Sequence, residues 1–221
     1  MTSTDASPHR APDGSPGGSL GGSLDGSLDG SLGGSLDRGG CCLLVTGAPG
    51  SGKTTVTRLV AAALERSALL RGDDISRLVV GGHVWALGEP ADEAARQTRL
   101  CNDNIVALAA NIADAGFTPV IDWIVPDRAQ LDRYVEALAP RGLALVVLDP
   151  GSQACRDRNE QRHPDEQFAF DGHDALVSGM RADYGELGWW FDTSGLTPEE
   201  TAERVVDHAY DHGFVARRRG L

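Results

Sequence analysis

Lysine is almost absent from this chain. Of its 20 basic residues, only Lys53 is a lysine, and every other one is an arginine. Acidic residues outnumber basic ones and give a net charge of −12, which disfavours non-specific binding to nucleic acids or anionic membranes. Aromatic residues make up 5% of the sequence, so we expect an aliphatic core. No apolar run approaches the roughly 18 residues of a membrane-spanning helix, so no membrane segment is predicted.

Cysteine is scarce as well, and its spacing excludes two kinds of framework. Cys41, Cys42, Cys101 and Cys155 form no C-x-x-C pair and have no histidines at zinc-finger distance. A disulfide-stapled fold and a structural zinc site are therefore not predicted. The N-terminus shows no basic flank followed by an apolar segment, so no secretory signal is expected. These features favour reduced thiols in a cytoplasmic protein.

The first 40 residues do not have the composition of a folded domain. Between residues 18 and 37, five successive units read Gly-Ser-Leu followed by Gly or Asp. One leucine in four residues buries too little surface to offset the entropy lost on ordering, so we predict a disordered tether over 1–40. The alternative is a docking arm that presents leucines to a partner. The folded domain is predicted over 41–215 and a basic tail over 216–221.

Strand and helix patterns alternate along the predicted domain. Short apolar runs predict strands at 41–46, 68–71, 118–125, 143–148 and 189–193. Helical periodicity predicts helices at 55–66, 91–115, 174–184 and 198–212, with another that Asp127 caps and that ends near Leu138. This alternation is typical of an α/β fold, in which a parallel sheet carries helices on both faces.

The first predicted strand is followed by the phosphate-binding pattern G-x-x-x-x-G-K-[ST], which predicts a nucleotide site. Its glycines let backbone N–H groups converge on phosphate oxygens at a helix N-terminus. We expect Lys53 to reach the β- and γ-phosphates of ATP, a task for which the planar fork of arginine is a poor substitute. Thr54 should offer its hydroxyl to Mg²⁺. The predicted nucleotide-binding residues are Gly47, Ala48, Pro49, Gly50, Ser51, Gly52, Lys53, Thr54 and Thr55.

Carboxylates at strand ends supply the other candidates for catalysis. Asp122 or Asp149 could support Mg²⁺, with a turn or helix cap as the alternative role of each. Asp73 and Asp74 follow the second strand, where either could accept the proton of an attacking hydroxyl, and Asp74 with Arg77 fits a D-x-x-R spacing. Capping of the next helix is the alternative for this pair.

Arg158 and Arg162 are predicted to form a short arginine-rich lid. They are four residues apart, so they would share one helical face. From there they could close over the triphosphate and stabilise charge on the transferred group. A solvated basic face, paired with nearby acidic residues, is the alternative.

Two other classes of P-loop protein are excluded because the sequence lacks their characteristic elements. GTP switches read guanine with an N-K-x-D element, and the single lysine is already used in the phosphate loop. Motor ATPases are longer and usually show a strand ending in Asp-Glu with a downstream sensor, which this sequence lacks. A small phosphotransferase that uses ATP and Mg²⁺ remains.

The segments GAPGSGKT, RGDDISR, TPVIDW and RDRNEQR together resemble the small P-loop kinases. That family includes chloramphenicol phosphotransferase and tunicamycin-resistance proteins, with polynucleotide 5′-kinases and zeta-toxin kinases as cousins. The resemblance covers about residues 41–212. It implies a three-layer sandwich around a five-stranded parallel sheet in the order 2-3-1-4-5, and ATP- and Mg²⁺-dependent phosphorylation of a hydroxyl. Antibiotic resistance is one role within its range.

The resemblance also assigns roles to particular residues. It gives the phosphate and metal roles to Lys53 and Thr54. It favours Asp122 over Asp149 as the metal carboxylate, because the third strand lies beside the phosphate-loop strand in such kinases. The base role falls to Asp73 or Asp74, and the lid role to Arg158 and Arg162.

The acceptor is expected beneath residues 78–95, where a tryptophan would offer a flat surface to a ring. The predicted substrate-binding residues are Arg77, His83, Trp85 and Trp123. Packing of the cleft wall is the alternative for both tryptophans. The main hypothesis is a small acceptor such as a nucleoside, a sugar or an antibiotic-like molecule. The alternatives are a polynucleotide 5′-hydroxyl, and a non-catalytic ATP-binding partner protein that docks through the repeat.

Overall fold

The structure is a computed structural model that describes Leu36, residues 41–161, Gln167 and residues 170–216. The chain divides into Met1–Leu32 and Gly33–Leu221, and every described residue belongs to the second unit. Within this described part, each helix is too short or too polar to cross a membrane.

A parallel sheet forms the middle layer, with its strands in the order β2-β3-β1-β4-β5. The strands are β1 (Cys42–Thr46), β2 (Ser67–Arg71), β3 (Thr118–Asp122), β4 (Leu143–Asp149) and β5 (Trp189–Asp192). In the register, Val45 of β1 lies opposite Asp122 on one side and Val146 on the other. The predicted α/β fold and strand order are therefore confirmed.

Helices cover both faces of the sheet. They are α1 (Lys53–Ala63), α2 (Gly72–Ser76), α3 (Ala91–Asp114), α4 (Arg128–Leu138), α5 (Ser152–Glu160), α6 (His173–Tyr184) and α7 (Pro198–His212). Because alternate strand residues point to opposite faces, β1 contributes to two separate cores. Cys42 and Leu44 pack in the cluster that contains residues of α3, α4 and α6. Leu43 and Val45 pack in the cluster that contains residues of α1 and α7.

Some element boundaries differ from the sequence-based prediction. Helix α1 begins at Lys53 rather than at residue 55, directly after Gly52, whose φ of 98° is left-handed. Strand β3 ends at Asp122 rather than at residue 125, because the chain leaves the ladder and Val125 N–H donates to the Thr46 hydroxyl instead. The short helix α2 was not predicted as an element.

A sixth strand, β6 (Phe214–Ala216), was also missed, since three residues carry too little pattern to predict one. It pairs antiparallel with β4, and Ala216 lies opposite Leu143. The sheet thus reaches one residue into the segment predicted as the C-terminal tail. Arg217, Arg218 and Arg219 lie outside the described residues.

All four cysteines are buried free thiols that form no disulfide. Burial raises the pKa of Cys41 to about 11 and that of Cys42 to about 12. Such thiols stay protonated at neutral pH, so they pack as small apolar groups rather than acting as nucleophiles or metal ligands.

One leucine of the predicted tether belongs to the core. Leu36 is 0% exposed and packs in the same cluster as Leu43 and Val120. Its carbonyl oxygen accepts a hydrogen bond from the Thr118 hydroxyl at 2.9 Å. This position of the predicted 1–40 tether therefore packs against the folded domain. The other repeat leucines lie outside the described residues.

We expect Leu36→Ala to lower the free energy of unfolding by about 2–5 kcal/mol, because it removes a fully buried side chain and leaves a cavity. Chemical denaturation of the full chain would measure the change. Leu108→Ala is the matched control: Leu108 is 40% exposed on α3, so its loss should cost about 1 kcal/mol or less. Equal costs at the two positions would show that Leu36 is not part of the core.

Candidate functional site

The predicted site residues lie at the carboxyl end of the parallel sheet. The phosphate loop follows β1, α2 follows β2, Asp122 ends β3 and α5 follows β4. Because β1 lies between β3 and β4, the loop is flanked on both sides by strand ends that carry polar side chains. Ligands of open α/β sheets bind at this edge.

The phosphate loop needs glycine at two points of close approach. Gly47 and Gly50 have φ values of 142° and 81°, which other residues rarely adopt. A Cβ at Gly47 would lie 2.5 Å from the carbonyl oxygen of Leu148, and a Cβ at Gly50 would lie 2.5 Å from that of Cys155. The two glycines of the loop are thus packed closely against the backbone of β4 and α5, where a side chain would not fit.

Lys53 is buried within this loop. Its Nζ donates hydrogen bonds to the carbonyl oxygens of Gly47 at 3.0 Å and Ala48 at 2.9 Å. The ammonium therefore spans the loop from the first turn of α1, which is the position that the motif predicts for a phosphate-binding lysine.

Thr54 and Asp122 form the adjoining pair. The Thr54 hydroxyl donates to Asp122 Oδ2 at 2.8 Å, across 68 positions of sequence. Burial raises the pKa of Asp122, and the neighbouring Asp73 raises it further, while the Lys53 charge and the Thr54 hydrogen bond lower it. A hydroxyl and a carboxylate are hard oxygen donors that suit Mg²⁺, which usually takes only one or two protein ligands beside phosphate oxygens and water.

Asp149, the alternative metal carboxylate, is engaged elsewhere. Its Oδ2 lies 2.5 Å from Arg181 Nη2, and its Oδ1 accepts from the Gly151 N–H at 3.3 Å. An aspartate held in an ion pair offers a weaker metal site. The geometry therefore favours Asp122 for this role.

Asp73 and Asp74 differ in their surroundings, although they are adjacent on α2. Asp74 pairs with Arg71 at 3.3 Å and with Arg77 at 3.8 Å. Asp73 instead raises the pKa of both Asp122 and Cys101 through its charge, so its carboxylate interacts electrostatically with the end of β3. Helix α2 begins without a side-chain cap, so the capping role is not observed. These contacts favour Asp73 as the candidate base.

Arg158 lies over the phosphate loop, and its Nη1 donates to the carbonyl oxygen of Ser51 at 3.2 Å. It also borders a cavity of about 210 Å³ beside the loop. The lining residues are Ser51, Gly52, Thr55, Val56, Arg158, Thr193, Leu196, Pro198 and Thr201. Arg162, the other predicted lid residue, lies outside the described residues.

The wall contributed by Thr193, Leu196 and Pro198 was missed by sequence reasoning. Thr193 and Leu196 come from the turn between β5 and α7, and Pro198 is the first residue of α7. The signal that could have found them is topological, because this turn also follows the carboxyl end of a parallel strand.

The predicted acceptor residues lie around α2. Arg77 pairs with Asp74, and His83 Nε2 lies 3.3 Å from the Ser76 hydroxyl oxygen. Trp85 is exposed on the loop between α2 and α3. Trp123 is partly buried beneath α2, so that any side chain at Gly72 would overlap its indole ring.

A polar pair that sequence reasoning missed holds Trp123 in place. The Trp123 Nε1–H donates to Asn102 Oδ1 at 2.8 Å, and the same oxygen accepts from the Tyr134 hydroxyl at 2.9 Å. The indole is thus fixed by hydrogen bonding as well as by packing against α2.

This fold and this loop define a P-loop protein with the architecture of the small kinases. A sequence profile of the family described as AAA domain matches residues 43–187, and the chain belongs to that family. The membership confirms the P-loop resemblance inferred from the motifs. No curated protein sequence matches the chain.

Several solved structures share the fold. A sugar kinase from Janibacter sp. HTCC2649 has 19% identity and a TM-score of 0.57, with 77% of this chain and 95% of that chain covered. The tunicamycin resistance protein of Deinococcus radiodurans has 19% identity and a TM-score of 0.53, with 74% and 92% covered. The APS kinase CysC of Mycobacterium tuberculosis, in complex with AMPPNP and APS, has 23% identity and a TM-score of 0.51, with 77% and 97% covered.

Proposed function

We propose that this protein is a phosphotransferase that moves the γ-phosphoryl group of ATP to a hydroxyl of a small molecule. The observation that carries the proposal is the convergence of Lys53, the Thr54–Asp122 pair and Asp73 at one end of the sheet. The structurally similar kinase CysC was solved in complex with AMPPNP and APS, and this complex supports ATP as the phosphoryl donor.

The chain's own residues supply the steps of the transfer. The base and ribose of ATP would occupy the cavity beside Arg158, and the phosphates would lie along the loop against Lys53. Asp73 would accept the hydroxyl proton as the acceptor oxygen bonds to the γ-phosphorus. The bond from this phosphorus to the β–γ bridging oxygen then breaks, and ADP leaves. Lys53 and Arg158 would stabilise the negative charge throughout.

Thr54 and Asp122 would hold Mg²⁺, which supplies charge neutralisation on the phosphates when bound. Calorimetric titration with Mg·ATP tests the proposal as a whole, and saturable binding is expected. Absence of binding to well-folded protein would overturn it.

A polynucleotide 5′-kinase is the second candidate in this class, but the net charge of −12 weighs against it.

Asp122→Asn should lower kcat/KM by about 100-fold or more, because it removes the anionic metal ligand. The variant should also be more stable at pH 7. Burial favours the protonated acid, so the wild-type free energy of unfolding falls as pH rises from about 3.9 through the raised pKa. Asparagine removes the buried charge and keeps an acceptor for Thr54. A coupled ADP assay and thermal melts measure both effects, and undiminished Mg²⁺-dependent turnover would contradict the assignment.

A further inference from the structure

Exposed apolar surface is concentrated on one loop. We name residues 78–90, which join α2 to α3, the acceptor loop. Seven large apolar side chains are exposed within the described part of the chain, and four of them lie on this loop. Their exposed fractions are 70% for Leu78, 89% for Val80, 56% for Trp85 and 67% for Leu87. Exposed apolar side chains that cluster on one segment often mark a site where a ligand or a partner binds.

The acceptor loop is held in a fixed conformation. The buried side chain of Gln97 on α3 accepts a hydrogen bond from Val84 N–H at 2.9 Å and donates to the Gly82 carbonyl oxygen at 2.8 Å. His83 is also tied to Ser76 of α2. The apolar side chains are therefore presented by an anchored segment, and their exposure does not come from a frayed end.

The loop continues directly from the helix that carries the candidate base. Leu78 N–H donates to the Ile75 carbonyl oxygen at 3.2 Å, and Val79 N–H donates to that of Ser76 at 3.3 Å. The first exposed apolar side chain, Leu78, thus comes about one turn after Asp73 and Asp74. This position places the apolar surface on the acceptor side of the candidate site.

The charge of this region is negative. Residues 72–95 contain five carboxylates, one arginine and no lysine. Three of the arginines that border the surface pair with two of these carboxylates: Arg71 and Arg77 pair with Asp74, and Arg96 pairs with Glu93 at 2.7 Å. Asp73, Glu89 and Asp92 lie outside these pairs. An anionic molecule would meet like charges here and would have to compete for these arginines, whereas a neutral or cationic one would not.

We infer that the acceptor is an alcohol with an apolar body that is either uncharged or positively charged. This inference rests on the proposed function and narrows its substrate class. The apolar body packs on the acceptor loop, its hydroxyl points toward Asp73, and the surrounding carboxylates select against anionic alcohols.

Four alcohols that differ in charge or in the apolar body test the inference. Three share a phenyl body: 3-phenylpropane-1,2-diol is neutral, 2-amino-3-phenylpropan-1-ol is cationic with the primary hydroxyl, and 3-phenyllactate is anionic with the secondary hydroxyl. Glycerol keeps the neutral diol and has a third hydroxyl in place of the ring. With Mg·ATP present, the neutral and cationic phenyl compounds should bind at least about tenfold more tightly than phenyllactate or glycerol. Calorimetry and alcohol-dependent ADP release are the readouts. Phenyllactate or glycerol binding as tightly as the neutral phenyl diol would overturn the inference.

Variants of the full chain test whether the acceptor loop binds the phenyl alcohols. Leu87→Ser and Trp85→Ala should weaken binding of the phenyl diol about tenfold. Leu108→Ser, which changes an exposed leucine of α3 outside the loop, should leave it unchanged. Asp92→Lys should shift the preference toward phenyllactate by at least about threefold, since it replaces one of the region's carboxylates with a cation. Equal effects of Leu87→Ser and Leu108→Ser, or no shift with Asp92→Lys, would contradict the assignment.

Two further outcomes separate this inference from other failures. If Mg·ATP itself does not bind, the proposed function fails; if Mg·ATP binds and the alcohols rank otherwise, only the substrate class fails. Light scattering distinguishes a contact between copies of the chain. Wild-type self-association that Leu87→Ser abolishes would show that a second copy covers the loop, and would overturn the inference.

Discussion

Replacing Lys53 with alanine is expected to lower kcat/KM by about 10²–10³-fold, because it removes a preorganised positive charge from the transferred phosphoryl group. Nζ lies 3.0 Å from the Gly47 carbonyl oxygen, and the side chain is buried, so alanine would leave the loop without its ammonium. Steady-state kinetics with a coupled ADP assay would measure the loss.

Lys53→Arg should be almost as inactive as Lys53→Ala. The Lys53 ammonium fits between two loop carbonyl oxygens, and a planar guanidinium is larger and requires a different hydrogen-bond geometry. Arg58→Ala, on the exposed face of α1, is the control and should retain activity. Denaturation curves would verify that each variant is folded. Wild-type turnover by folded Lys53→Ala would rule out the proposed phosphate site.

The second large effect is expected at α2, where Asp73→Asn should lower kcat by about 10²–10⁴-fold with little change in KM for ATP. The asparagine side chain is nearly isosteric with aspartate, but it could not accept the hydroxyl proton. Single-turnover measurements would place the defect in the chemical step rather than in product release.

Asp74→Asn is the matched comparison for this effect. It removes one carboxylate from the same short helix, but its main consequence is loss of the ion pairs with Arg71 and Arg77. Exposed ion pairs contribute about 0–1 kcal/mol, so a much smaller loss of activity is expected. A larger defect in Asp74→Asn than in Asp73→Asn would reverse the assignment of the base.

The sequence predicts the architecture well, because buried parallel strands and the phosphate loop have strong local signals. Strand order follows from the P-loop resemblance, and Lys53 and Thr54 follow from one motif. Local patterns could not separate Asp73 from Asp74, since the distinction depends on which arginines each side chain meets. The resemblance favours Asp122 over Asp149 by analogy alone, and the ion pair of Asp149 with Arg181 supplies a physical reason.

Long-range contacts account for what was missed. Thr193 and Ser51 line the same cavity only because the carboxyl ends of β5 and β1 lie at the same edge of the sheet. Leu36 is identical in type and spacing to four other repeat leucines, so nothing in its own sequence marks it as a buried residue. Asn102 was read only as part of a helical pattern, although its amide group binds three partners.

The indole of Trp123 makes glycine necessary at position 72. It follows Asp122 directly in the chain, and a Cβ at Gly72, next to Asp73, would lie 1.9 Å from its ring. A side chain at position 72 would therefore have to displace the indole from its hydrogen bond with Asn102 or shift the start of α2, the helix that carries both candidate bases.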